Sequence, residues 1–484
     1  MLWEAVFITM VYQMAGDARH PAMGARMQTE SVIAELSALL GERLSTAGAV
    51  RAEHGRNETY YPDTPPDAVA FPETTKEVSA LLRICHAAGV PVTAYGAASS
   101  LEGQHLAVQG GISLDMRRMN RVLSVHPEDL NAVVQPGLTR IALNEALRAT
   151  GMFFPVDPGA DASLGGMAAT RASGTTAVHY GTMRENVLAL QAVMADGTVI
   201  RTGSAARKSS TGYDLTHLLI GSEGTLGILT ELTLRLQGIP ETIAAATCRF
   251  ASVEDAVNCV IATIQSGVPM ARIELVDEMM VKGFNAYADA GLPEMPHLFL
   301  EFHGGPAAVA EQTAAFEAIA AEFGAEGWRA ADTVEGRNAL WSLRHKAHYA
   351  SAALARGKRI WPTDVCVPIS ALAEAVLQAQ RDARALGLTC TIVGHVGDGN
   401  FHCAVCVDPA DAEEMARSHR FTHALADTAL RLGGTVSGEH GIGLGKQDFM
   451  DAEHGPALGW MRAVKRAFDP KGILNPGKLL PPEA

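Results

Sequence analysis

Val90-Pro-Val-Thr-Ala-Tyr95 runs straight into Gly96-Ala-Ala-Ser-Ser-Leu-Glu-Gly103, an apolar strand-like run giving way to a loop almost without bulk. A strand that ends in small residues offers successive backbone N–H groups, and such a row can bind a pyrophosphate without any basic side chain. The surroundings alternate helices with short strands: Lys76 to Ala88 has helical spacing, while Ile112 to Met116 and Ala132 to Gln135 read as strands. Taken alone, one such loop reads equally well as a surface turn. Two further segments share its make-up, Asp157-Pro-Gly-Ala-Asp-Ala-Ser-Leu-Gly-Gly-Met-Ala-Ala-Thr170, continuing to Ser173 and Gly174, and Leu219-Ile-Gly-Ser-Glu-Gly-Thr-Leu-Gly-Ile228. Stretches this poor in bulk let a flat ligand lie against the main chain. None has the glycine spacing of a Rossmann or Walker loop, which disfavours nicotinamide and nucleoside triphosphates.

The chain of 484 residues is long enough for two or three domains. Its formal charge of −14 argues against nucleic acid or an anionic membrane surface as a partner. Seven cysteines, an odd number scattered through a large chain, read as reduced thiols in a cytoplasmic compartment, and the expected placement is cytoplasmic, at most peripheral to the inner membrane. Cys403 and Cys406 have CxxC spacing, but they fall in a strand-like run where residues three apart face opposite ways, so no redox or metal pair is expected. The apolar stretch Ala5 to Tyr12 is too short to span a bilayer, and no integral membrane segment is expected. Residues 1–26 read as an extension, followed by an amphipathic helix from Met27 with Val32, Ile33, Leu36, Leu39 and Leu40 at helical spacing.

Chemistry concentrates in two glycine-laced loops, Gly394-His-Val-Gly-Asp-Gly-Asn-Phe-His402 and Ser437-Gly-Glu-His-Gly-Ile-Gly443. Two imidazoles and a carboxylate hold a divalent ion with positions left open, and an adjacent third histidine can move a proton. Chance proximity among 17 histidines is the plain alternative, and the glycines around these argue against a packed core.

The order of these segments resembles the FAD-linked oxidases of the vanillyl-alcohol oxidase type. Val156 to Leu164, Thr363-Asp-Val-Cys-Val-Pro-Ile-Ser370, the two histidine loops and Asn475-Pro-Gly-Lys478 are similar to the D-2-hydroxyacid dehydrogenases of that group, and closest to the cytochrome-type D-lactate branch. The resemblance runs from about residue 50 to 481 and implies an α+β protein: a two-part PCMH-type FAD-binding domain with an α+β cap domain for substrate. It divides the chain into an extension and helix (1–50), a flavin domain (51–239), a cap carrying the metal (240–453) and a C-terminal return to the flavin domain (454–484). Helical patterns at Glu254 to Gln265, Ala307 to Phe323 and Asp411 to Leu432, with strand-like Leu298 to Phe302 and Cys403 to Val407, agree with such a cap.

Carried onto this sequence, the family puts the FAD pyrophosphate near Gly96, Ala97, Ala98, Ser99, Ser100, Leu101 and Glu102. Further contacts are implied from Pro158, Gly159, Ala160, Ser163, Leu164, Gly165, Met167 and Ala168, then Ser173 and Gly174. Glu223, Gly224, Gly227, Ile228 and Asn475 complete the set. It assigns His395, His402 and Glu439 to a divalent metal (zinc, manganese or iron), His440 to proton abstraction, and Arg344 in Trp341-Ser-Leu-Arg-His-Lys to the substrate carboxylate, a task suited to a planar fork. Apart from the resemblance, Arg344 reads as a solvated arginine on a helix. The phosphate loop lacks the histidine that covalent members place there, His105 falling later, so the FAD is expected to be non-covalent. Arg171 stands where related enzymes carry asparagine.

The implied reaction is oxidation of D-lactate or another D-2-hydroxy acid to a 2-oxo acid, by metal-assisted removal of the hydroxyl proton and hydride transfer to the flavin. Electrons would pass to a cytochrome, a quinone or an electron-transfer flavoprotein, and a homodimer is expected on base rate. D-2-hydroxyglutarate or glycolate is the neighbouring reading of the substrate. A metallohydrolase built on the same ligands and a non-catalytic flavoprotein subunit are the readings from other classes.

Overall fold

The computed structural model describes residues 23–331 and 333–483, so Ala5 to Tyr12 lies outside the described residues. Its first sheet grows from the segment quoted at the outset. Val92–Tyr95 and Ala68–Ala70 pair parallel to Ile112–Asp115 on either side, and Leu44–Ser45 adds an antiparallel edge. The helix expected from Met27 spans Met23–Leu40 and buries Val32, Leu36 and Leu40, while Leu39 faces out. A second helix, Thr75–Ala88, starts at a capping box between Thr74 and Glu77 and stops at Gly89, whose φ of 67° a glycine adopts freely. It packs Val78, Leu81, Leu82 and Cys85 into the same core.

The second sheet is antiparallel, in the order Val122–His126, Asn131–Val134, Ile228–Arg235, Val187–Val193, Val199–Gly203. Alternate residues of Ile228–Arg235, among them Leu232 and Leu234, go inward, as a sheet with one buried face requires. The C-terminal segment comes back to both cores. Val464 and Phe468 pack on the second, Ile473 and Leu474 on the first, where Val92 bridges Leu474 and accepts from the Asn475 amide at 2.9 Å.

A third, larger antiparallel sheet follows, in the order Glu326–Ala331, Thr242–Arg249, His297–Gly304, Met270–Val276, Cys390–Gly394, Asn400–Val407, Arg359–Pro362. Helices Val253–Gln265, Pro306–Glu322, Leu372–Ala385 and Ala412–Arg431 contribute to a core over one face, and Glu278–Ala288, Val334–His345 and Ala347–Ala353 to another on the opposite side. Cys403 sits in the first of these cores, while the Cys406 thiol reaches the Ser351 carbonyl, so the two do point to opposite faces. All seven cysteines are free.

Candidate active site

His395 leaves the end of strand Cys390–Gly394, and a one-turn helix with Gly399 brings the chain back to His402 on the next strand. Glu439 arrives from the second loop, and one ligand atom from each of the three lies within 4.8 Å of the others. Both rings are oriented through Nδ1: His395 donates to Glu274 Oε1 at 2.6 Å, and His402 to the Thr363 carbonyl at 3.2 Å. That fixes the tautomer and turns each Nε2 toward Glu439 Oε1, 3.1 and 3.3 Å away. Glu439 Oε2 is buried with no protein partner.

Burial works against charge on His395, but Glu274 and Glu439 outweigh it and raise its pKa to about 10. Burial pushes Glu439 the other way, and His395 and His402 nonetheless hold it well below the usual carboxylate range. A cation bound among these groups therefore displaces a proton. His440 lies flat on His402, ring centres 4.7 Å apart and planes within 10°. Burial dominates there and pushes its pKa down to about 4 against the pull of Asp364.

Asp364 holds the second loop in place. Its Oδ2 accepts from the Ser437 hydroxyl and from the amides of Glu439 and His440, each at 2.8 Å, and its Oδ1 accepts from Asn400 at 2.7 Å. Lys446, 3.5 Å away, is the counter-ion. Burial alone would raise Asp364, but the Lys446 charge first, then the neighbouring imidazoles and the His440 amide, hold it well below its ordinary value. Beyond His440 the loop is tied to the first half of the molecule: Ile442 and Gly443 donate to Glu223 at 2.6 and 2.9 Å, and Gln104 donates to the His440 carbonyl at 2.7 Å. Gly441 must be glycine here, with φ of 79° and a would-be Cβ 2.3 Å from Glu223 Oε1.

These ties put Glu439 and His440 on the wall of a cleft of about 1260 Å³, counting space open to solvent. Gly96, Ala97, Ala98, Ser99, Ser100 and Leu101 line it, with Pro158, Ala160, Ser163, Gly165, Met167 and Ser173 opposite and Glu223, Gly224, Gly227 and Ile228 between. Among the described lining residues there is no lysine or arginine.

Six expected contacts fall outside the lining, each for a local reason. Leu164 and Ala168, one turn apart on helix Leu164–Thr170, face the second core. The buried Glu102 carboxylate accepts from Tyr61 and lies 3.5 Å from Lys446. Gly159 has its Cβ position toward His345, and Gly174 packs against the Asp157 carbonyl, where a Cβ would come within 1.8 Å. Asn475 donates to the carbonyls of Gln104 and Glu223, bracing the cleft from behind. Gln104, Tyr95, Thr170 and Ser222 line the cleft without having been singled out in the sequence.

Arg344 departs from the solvated reading. It is only 6% exposed and forms an ion pair with Glu274, Nη2 to Oε2 2.7 Å. Sequence reasoning assigned no role to Glu274 or to Asp364, although Asp364 lies inside a quoted motif.

Residues 66–203 match the family described as FAD binding domain, and residues 239–479 the FAD linked oxidases, C-terminal domain. A probable D-lactate dehydrogenase, mitochondrial, of Danio rerio is 47% identical over 93% of this chain and 92% of its own. The chain belongs to the FAD-linked oxidases. A D-lactate dehydrogenase [cytochrome], mitochondrial, of Arabidopsis thaliana is 42% identical to this oxidase over 96% of the chain and 85% of its own. The fold is shared with p-cresol methylhydroxylase, with a TM-score of 0.77, 19% identity and coverage of 95% of this chain and 98% of that one. The cytoplasmic placement is corrected by the relatives, both named mitochondrial. Free thiols report a reducing environment, and the cytoplasm is not the only one.

Proposed function

We propose that this flavoprotein is a D-lactate dehydrogenase that oxidises the hydroxy acid to its 2-oxo acid and passes electrons to a cytochrome, as the name of the Arabidopsis relative has it. The observation that carries the reading is the adjacency of Glu439, turned to His395 and His402, and His440, turned into the cleft.

FAD suits the cleft, whose wall is main chain and small side chains, and a divalent ion (zinc, manganese or iron) suits two imidazoles locked with Nε2 toward a carboxylate that has a free buried oxygen. When bound, FAD would supply the hydride acceptor and an ion held by His395, His402 and Glu439 would supply a Lewis acid. His440, which lines the cleft, is neutral near pH 7 and in this reading accepts the hydroxyl proton. The Asp364 carboxylate behind it offsets the charge the ring gains. Arg344 does not line the cleft itself; it is buried beside the metal ligands with Nη2 toward Glu274, and in this reading its guanidinium is the group that pairs with the substrate carboxylate. Attachment of FAD is non-covalent in this reading: His105 lines the cleft, but its Nε2 donates to the Arg56 carbonyl at 2.9 Å and its Nδ1 accepts from Ser100 at 3.1 Å. In this reading the cap begins near residue 240, just before strand Thr242–Arg249, and the chain from 454 returns to the flavin-domain cores, while Leu44–Ser45 and helix Met23–Leu40 join the first sheet and its core from before residue 51.

The test is anaerobic titration of purified, metal-analysed protein with D- and L-lactate, D-2-hydroxyglutarate and glycolate, following flavin bleaching. Bleaching by D-lactate at the lowest concentration is expected. A colourless protein that takes up no FAD points instead to a metallohydrolase, and a yellow one that no hydroxy acid reduces, to a non-catalytic subunit.

A further inference from the structure

Strand Met270–Val276 directs Arg272 and Glu274 to one face, as residues two apart on a strand must be. Helix Val334–His345 lies across that face and meets both. The Arg272 guanidinium stands over the Trp341 ring at 4.5 Å, and Arg344 pairs with Glu274 at 2.7 Å. Glu274 is fully buried, and its other oxygen holds His395 Nδ1 at 2.6 Å. One carboxylate thus hydrogen-bonds His395 through Oε1 and forms an ion pair, without a hydrogen bond, to the Arg344 guanidinium through Oε2.

We infer that Glu274 is a positioning residue that sets the distance between the metal side and the carboxylate side of the substrate site, and so selects acids whose hydroxyl and carboxylate sit on adjacent carbons. The inference rests on the functional reading above. A carboxylate is rigid and planar, so its two oxygens cannot drift apart, and the groups they hold inherit that fixed span. A 2-hydroxy acid presents hydroxyl and carboxylate across one bond, whereas a 3-hydroxy acid has one carbon more between them. Glu274 also keeps His395 in the tautomer whose Nε2 can take a cation, which a neutral amide would do less firmly.

The test uses FAD-loaded full-length protein, wild type and Glu274→Gln, with Zn2+ affinity measured by competition against a colorimetric chelator. Glu274→Gln should weaken Zn2+ binding about 10–100-fold, the loss typical of an outer partner to a ligating histidine. At saturating metal it should raise KM for D-lactate about tenfold and narrow the preference for D-lactate over 3-hydroxybutyrate. Because Glu274 acts on the anion through Arg344, adding Glu274→Gln to an Arg344→Met background should leave KM where Arg344→Met alone puts it. A lower melting temperature with unchanged Zn2+ affinity, KM and preference overturns the inference and leaves Glu274 a plain buried ion pair. If Glu274→Gln does not fold, Glu274→Asp, one methylene shorter, is read on the same scales, and wild-type values there overturn it equally. Wild-type protein that neither binds Zn2+ nor is bleached by D-lactate sinks the functional reading instead.

Discussion

Along the cleft, from Gly96 past Ser163 to Gly224, the wall is mostly main chain and small side chains, whereas at the histidine loops the groups that face inward are polar side chains held in place by others. The contrast follows from the ligands each can hold. A large flat molecule is recognised by shape and by backbone donors spread along it, and any side chain with bulk would compete for the same space. An ion and a proton are recognised by charge at fixed points, which requires buried carboxylates and imidazoles whose positions are over-determined. The two regions should therefore answer mutation differently: abruptly at the histidine loops, quietly at side chains around the cleft.

The largest effect is expected where the regions touch. His440→Asn keeps a polar side chain of similar reach but cannot take a proton, so anaerobic flavin reduction by D-lactate should slow by roughly 10²–10⁴-fold. FAD and metal content should stay as in the wild type. Reduction within a few-fold of normal would remove His440 from the role of base.

Asp364→Asn should break the loop's support rather than its chemistry. An amide nitrogen placed among the Ser437 hydroxyl and the amides of Glu439 and His440 meets donors with a donor, and Lys446 is left less well compensated. Breaking a buried pair of this kind costs about 3–5 kcal/mol. The expected outcome is a lower melting temperature and weakened metal retention, with the cleft still able to bind FAD; a variant that melts like the wild type would show that the loop does not depend on Asp364.

Much of this contrast was legible in the sequence, but unevenly. The small-residue segments announce the cleft because glycine and alanine in long runs have few other uses, and the histidine loops announce the cluster of His395, His402 and Glu439 because imidazoles and an acid recur among glycines, although Val396, Phe401 and Cys403 beside them pack into a core. Contacts along a motif were over-counted where a helix intervened: Leu164 and Ala168 belong to the same phrase as Ser163 and Gly165 but face the core. Glu274 was invisible for a different reason. Ala-Arg-Ile-Glu-Leu-Val alternates as a half-buried strand does, which would leave Arg272 and Glu274 on a solvent face, but partners distant in sequence cover them: Asp157 and Trp341 for Arg272, Arg344 and His395 for Glu274. Asp364 lay within a recognised phrase, yet nothing local says that its partners are the amides of Glu439 and His440.

A pH series probes the base without mutation. The His440 pKa is depressed from 6.5 to about 4, so the folded protein keeps the neutral ring down to that value. Flavin reduction limited by proton abstraction should be level from about pH 8 to pH 5.5 and fall only as the pH approaches 4, and a positive ion bound nearby shifts the fall lower still. The same shift makes stability pH-dependent: an unfolded chain takes the proton near 6.5 and the folded one does not, so the contribution is complete above 6.5 and is lost as the pH falls toward 4. A half-maximal reduction rate near pH 6.5 would mean that burial does not govern this imidazole.

The smallest effect is expected beside the cleft, at Arg171. It ends helix Leu164–Thr170 in the left-handed region, with φ of 56°, which costs an ordinary residue about 1–2 kcal/mol and asparagine less. Against that, its Nη2 donates to the Ile220 carbonyl at 3.0 Å, a bond worth about 1 kcal/mol net. Arg171→Asn relieves the first and loses the second, so thermal stability should change by no more than about 1 kcal/mol in either direction. Because the neighbouring wall is shaped by Thr170, Ala172 and Ser173 and not by the arginine, FAD affinity measured by fluorescence titration should stay within about threefold of the wild type. A large loss of FAD would mean that a charged side chain reaches the cofactor after all, and the contrast between a main-chain cleft and a side-chain ion site would no longer hold.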